Sequence, residues 1–194
     1  MNDGPHESLG IENSMDLLIV LIYAPGKQGV VAEPIDGITK LQKLMFLLQQ
    51  GVGPKQLVKQ AKDLGFKPYK MGPYSRRLVQ DLEELQSAGI ISTTRLEYLL
   101  PDDSDRAATQ DTDWDMSARK SKRVESFRFR LSDDLGVQVG SDLWEGATAR
   151  QREELTEFKS FFNSLSLRQL LIFVYERFPN YTTESTIKDE LGIA

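Results

Sequence analysis

Residues 65–91, reading GFKPYKMGPYSRRLVQDLEELQSAGII, constrain the fold of this chain more than any other stretch. A short aromatic segment with Phe66 and Tyr69 runs into the rigid turn Gly72-Pro73. Ser75 is placed to accept free backbone N–H groups of the next turn, the role of a helix N-cap. In the helix that follows, Leu78, Leu82 and Leu85 recur at the spacing of a core-facing stripe. Gly89 supplies a stop, and Ile90-Ile91 opens a strand. These are the parts of a helix-turn-helix ending followed by the start of a wing. The helix begins with Arg76 and Arg77, positive side chains where a recognition helix first meets nucleic acid.

The rest of the chain extends this pattern. Residues 1–14 read as a flexible tail, with Ser14 capping a first helix over 15–23 whose nearly continuous apolar content predicts burial. Pro25, Gly26, Gly29, Pro34 and Gly37 keep 24–37 from forming a long regular element. A second helix opens at Thr39, with Leu41, Leu44, Met45 and Leu48 inward and Lys40 and Lys43 off the stripe. A third covers 55–64, with Leu57, Ala61 and Leu64 inward and Lys55, Lys59 and Lys62 outward. Alternation around Leu96-Tyr98-Leu100 and Phe127-Phe129-Leu131 predicts a hairpin that buries its aromatic side and exposes Arg128 and Arg130. The polar, aperiodic segment between them, 101–123, reads as a long mobile wing loop. Helices are expected over 148–164 and 166–178, with a short one over 183–191. The domain reading is therefore a winged-helix-like unit over 15–135 and a helical C-terminal extension over 136–194. The fold class is α+β, mainly α, with a long β-hairpin wing.

Composition removes several chemistries. The chain has no cysteine, which excludes disulfides, thiolate metal sites and cysteine nucleophiles. Its one histidine, His6, lies in the Gly/Pro-containing tail. The acidic start has no signal-peptide character, and the longest early apolar run is too short to span a bilayer, so a cytoplasmic location without membrane contact is expected. The net charge of −5 hides a segregation. Residues 27–80 hold ten bases against three acids, and 116–130 hold six bases against one. Two basic blocks in an acidic chain either form one positive face or neutralise acidic blocks within the fold.

The order TKLQKLMFLL (39–48) followed by FKPYKMGPYSRRLVQDLEELQSAGII (66–91) resembles the YwgA-like family of small prokaryotic proteins. More distantly it is similar to the N-terminal part of SocA-type (Panacea) antitoxins, in which a KLQKLLY-like helix precedes a YGP turn. Lys40, Leu41, Gln42, Lys43 and Leu44, then Tyr69, Gly72, Pro73, Tyr74 and Ser75, carry the likeness, and FVYERFPNYTTESTIKDEL adds to it. The resemblance covers about two thirds of the chain, with the acidic loop 101–118 outside it. It implies a winged-helix-like fold and little chemistry. The antitoxin relatives imply partner binding, although this chain departs from them after Tyr74-Ser75.

Candidate chemistry follows from these residues. For DNA, the contacts expected on the turn and helix start are Lys67, Lys70, Tyr74, Ser75, Arg76 and Arg77. On the wing they are Lys120, Lys122, Arg123, Arg128 and Arg130. Arginine and lysine are required because phosphate neutralisation releases counterions and supplies most of the affinity. Asp81, Glu83 and Glu84, read as exposed on the same helix, oppose a helix lying flat in a groove and favour an approach through its first turn. The bland alternative is an i,i+4 pair between Arg77 and Asp81 on a solvated face. Catalytic patterns are weak. Asp111, Asp113 and Asp115 mimic the first ligands of a calcium loop, but Met116 and Lys122 occupy the glycine and terminal glutamate positions. Gly51-Val52-Gly53-Pro54-Lys55 lacks phosphate-loop spacing. Glu153 and Glu154 are adjacent on a helix and face apart. No catalytic residue, metal or cofactor is assigned. The reading is a non-enzymatic regulator that binds DNA through a winged helix. Its rival is a protein-interaction module, antitoxin-like or a complex subunit, that has lost DNA contact, with a homodimer as one arrangement.

Overall fold

The computed structural model describes residues 10–99 and 123–193. It is mainly helical, with one small antiparallel sheet. The first helix, α1 (Ser14–Tyr23), is buried from Leu17 through Ile22 and forms the centre of the core. Its N-cap is Asn13 rather than Ser14: the Asn13 side chain accepts from the Met15 and Asp16 amides, and Asp16 answers in a capping box. Ser14 instead donates to Asp81 Oδ2 at 2.5 Å. The flexible-tail expectation stops short of residue 14, because Ile11 is buried and its carbonyl accepts from Gln60 Nε2 at 2.8 Å. Residues 1–9 lie outside the described residues.

Strand β1 (Ile35–Asp36) leads into α2 (Ile38–Gln49), whose residues Leu41–Leu48 are all buried, Lys43 among them. Lys43 therefore belongs to the interior although it stands off the apolar stripe. Residues 55–64 form the expected third helix as a short α3 (Val58–Ala61) flanked by 3-10 turns. Next comes α4 (Arg76–Ser87), N-capped by Ser75, with Leu78, Leu82 and Leu85 buried as its periodicity predicts. The hairpin of β2 (Ile91–Leu99) and β3 (Arg123–Leu131) pairs in register from Ile91 opposite Leu131 to Leu99 opposite Arg123. With β1 on the other side of β3, the sheet order is β1-β3-β2. Phe129 and Leu131 are buried, but Phe127 is 42 % exposed, so the aromatic side is covered only near the base of the hairpin. The wing loop over 101–123 lies outside the described residues except for Arg123, which opens β3.

Helix α5 (Leu135–Gly146) packs against α1. Gly140 permits the contact: a Cβ there would stand 2.7 Å from the Tyr23 ring and 2.8 Å from Leu131. Then follow α6 (Ala149–Ser164) and α7 (Leu167–Arg177), each opened by a capping box, from Thr148 with Gln151 and from Ser166 with Gln169. The chain closes with α8 (Lys188–Leu191), shorter than the helix expected over 183–191. Leu155, Phe158, Leu170, Leu171 and Val174 from these helices join α1, α2 and α4 in one hydrophobic core. Phe46 of α2 illustrates the continuity, with ring centroids 5.1 Å from Phe178 and 4.7 Å from Tyr181.

Candidate nucleic-acid interface

The turn before α4 is closed by a bridge of its own and held by residues of α2, α7 and the 185–186 segment. Lys67 and Tyr74 pair as an isolated antiparallel bridge, which folds 67–74 into a small loop. From α2, Lys43 Nζ donates to Pro73 O at 3.0 Å. Gln42, also on α2, binds both polar groups of the Ser75 backbone, Nε2 to the carbonyl and Oε1 from the amide, each at 2.9 Å. From α7, the Tyr175 ring lies under Gly72, where a Cβ would approach to 2.7 Å; the Gly72 φ of +83° also favours glycine. The Tyr175 hydroxyl is 2.9 Å from Ser185 Oγ, and the Thr186 amide donates to Lys70 O at 3.0 Å.

Lysines elsewhere do similar internal work. Lys159 of α6, buried, donates to Ile22 O, Ala24 O and Glu33 O at 2.6 to 2.7 Å. Lys40 donates to Asn163 O and Leu165 O, satisfying carbonyls near the end of α6. Burial pulls Lys43 down to about 7. Burial also pulls Lys159 down to about 7, against the opposing pull of Glu33. Three carbonyl acceptors match the three donors of an ammonium, so these bonds favour the charged form that burial disfavours.

The expected contact residues divide. Lys67, Lys70 and Arg76 are exposed, and Tyr74 is half-buried. Ser75 is fully buried and does not reach the surface, because its hydroxyl accepts from the Leu78 amide and donates to Leu64 O. Asp81 is likewise buried, a correction to its reading as exposed. Arg77 Nε sits 2.7 Å from Asp81 Oδ1 with its own side chain 49 % exposed, so Arg77 first serves the fold. On the hairpin, Arg128 makes two hydrogen bonds to Asp36, at 2.7 and 2.8 Å, across the β1–β3 pairing. Arg130 pairs with Asp133 at 2.9 Å. Part of the second basic block is therefore neutralised locally. Lys120 and Lys122 lie outside the described residues, and of Arg123 only the backbone pairing is described.

Sequence reasoning left three residues out of the site. Lys55, Lys59 and Lys62 are exposed on the 55–64 segment, which contacts α4. Their outward spacing was the available signal. Across 55–77, every charged residue is exposed, and Asp63 is the single acid beside Lys55, Lys59, Lys62, Lys67, Lys70, Arg76 and Arg77. Further along α4 the sign reverses. A shallow cleft of about 460 Å³ there is lined by Arg77, Gln80, Glu83, Glu84 and Ser87. Among the described residues no group of three or more His, Cys, Asp or Glu side chains is placed to hold a metal ion. No described helix is long and apolar enough to cross a membrane. No protein-family model, curated protein or solved structure matches the chain.

Proposed function

We propose that this protein is a non-enzymatic regulator that binds nucleic acid, DNA in the first instance, through a winged helix. The observation that carries the reading is the run of seven exposed bases against one exposed acid over 55–77, within which the 62–64 turn contacts α4. A surface of that composition binds phosphates by counterion release. The winged-helix reading draws on element order, helix, strand, three helices, strand, strand, in which the short α3 stands between α2 and α4, with the sheet ordered β1-β3-β2. In that frame α4 is the recognition helix. Exposed Glu83 and Glu84 oppose its lying flat along a groove, so contact runs through its first turn, with Arg76 leading. Lys67, Lys70 and the three lysines of 55–62 take flanking phosphates. The resemblance to the YwgA-like family fits this reading, since it implies the same fold.

A second reading, a protein-interaction module, has one observation in its favour. Phe161 is 56 % exposed and stands at the end of an aromatic series with Phe162 and Phe173. One titration separates the two. Fluorescence anisotropy with random-sequence duplex DNA across a salt series should show binding that weakens steeply as salt rises, and Arg76→Ala should weaken it. Absence of binding at low salt to this duplex and to its separated strands removes the nucleic-acid reading and leaves the module.

A further inference from the structure

We infer that Tyr69 is a stacking platform for an unpaired base, so that the preferred ligand of the basic surface is single-stranded nucleic acid. The inference rests on the nucleic-acid reading above and names its ligand.

Three observations converge on it. First, Tyr69 is 47 % exposed at the tip of the 67–74 loop, an unusual place for a large ring without a partner from the core. Its centroid lies 5.1 Å from that of Tyr74, at an interplanar angle of 36°. The ring is thus backed by a second ring and keeps exposed surface for a third. Second, the tip is rigid. The Tyr69 carbonyl accepts from Gly72 N at 2.9 Å, and the Lys70 carbonyl is held by Thr186. Gly72 rests on Tyr175, and Pro73 is bound by Lys43. A ring fixed in advance loses little freedom on binding, which is what makes an exposed aromatic an effective contact. Third, bases flank it. Lys67 and Lys70 are exposed on the same loop, and Arg76 opens the next helix. The segment carrying Thr186 also brings one exposed acid, Glu184, which sets an edge to the positive surface.

Lys70 Nζ lies 6.0 Å from the Tyr69 ring centroid, the outer limit of a cation–π contact. A contact at that limit is weak, so a phosphate can compete for the ammonium while an unpaired base takes its place against the ring. Aromatic rings interleaved with lysines are how single strands are held without sequence readout. A duplex offers stacked, paired bases and no free base face to Tyr69, and the acidic continuation of α4 at Glu83 and Glu84 disfavours a rod lying along that helix.

The test compares a labelled single strand of about 12 nucleotides, within the size that such sites cover, with the matching duplex. Anisotropy is read at low salt for the wild-type protein, Tyr69→Ala and Tyr69→Phe, with thermal melts confirming that each variant folds. The expected result is tighter binding of the single strand, a loss of roughly tenfold in Tyr69→Ala on that strand, and near wild-type binding in Tyr69→Phe. Wild-type affinity in Tyr69→Ala, tighter binding of the duplex, or an equal loss on both forms overturns the platform while leaving the basic surface standing. Failure of the wild-type protein to bind either form at low salt removes the underlying reading, and this inference with it.

Discussion

Gln42 grips the Ser75 backbone from both sides, donating to its carbonyl and accepting from its amide at 2.9 Å each. A single buried amide on α2 thereby fixes the residue that N-caps α4. Replacing Gln42 by Ala leaves a buried N–H and a buried C=O without these partners. Each such group costs about 1–3 kcal/mol. Gln42→Ala should lose about 2–4 kcal/mol in urea denaturation. A loss under about 0.5 kcal/mol, the size of an ordinary surface change, contradicts the clamp.

Gly72 carries two constraints at once, a positive φ and the Tyr175 ring beneath it. Gly72→Ala should destabilise by about 1–3 kcal/mol. Trimming the ring should relieve part of that cost, so Gly72→Ala combined with Tyr175→Leu should show coupling in a double-mutant cycle. Strict additivity would place the strain elsewhere.

The adjacent arginines separate fold from function. Arg77 is bound to Asp81, which is buried and also accepts from Ser14. Arg77→Ala leaves that carboxylate without its cation and should cost about 1–3 kcal/mol. Arg76 is exposed, so Arg76→Ala should change stability by no more than about 0.5 kcal/mol while weakening nucleic-acid binding. Thermal melts and anisotropy on the same two variants check both halves.

Lys43 gives the fold a pH dependence. Burial lowers its pKa from 10.5 to about 7, so between those values the unfolded chain binds more protons than the folded one. Stability contributed through this group therefore rises with pH from about 7 toward 10, and is flat below 7, where both states are protonated. Tyr175 acts in the opposite sense above its ordinary 10.0, because burial raises its pKa, and this closes the window. Urea midpoints from pH 6 to 9.5 should climb for the wild-type protein, and Lys43→Met should remove part of the climb, leaving the share of Lys159, whose pKa burial also lowers to about 7.

Much of the architecture was legible in the sequence because local signals and packing agree. The Ser75 cap, the Leu78-Leu82-Leu85 stripe and the Thr148 and Ser166 starts are written in residue type and spacing. Helix α5 was not, because Gly136, Gly140, Val137 and Val139 disfavour a helix locally and its formation rests on packing against Tyr23 and Leu131. Strand β1 is two residues long and exists only through its pairing with β3. At the candidate site, side-chain charge was legible but its employment was not. Lys43 and Asp81 read as surface residues by type, and only the tertiary fold turns one to the Pro73 carbonyl and the other to Arg77. The three lysines of 55–62 were read as outward, but the contact of the 62–64 turn with α4 needed the third dimension.

The central claim is that the exposed bases of 55–77 bind nucleic-acid phosphates. The most direct measurement is the slope of log affinity against log salt for the wild-type protein and for the triple variant Lys59→Gln, Lys70→Gln, Arg76→Gln. Each phosphate contact contributes about 0.7 to the slope on a single strand and about 0.9 on a duplex, so the variant's slope should be shallower by about two to three. An unchanged slope in a variant that melts like the wild type, or no binding by the wild-type protein at low salt, contradicts the account.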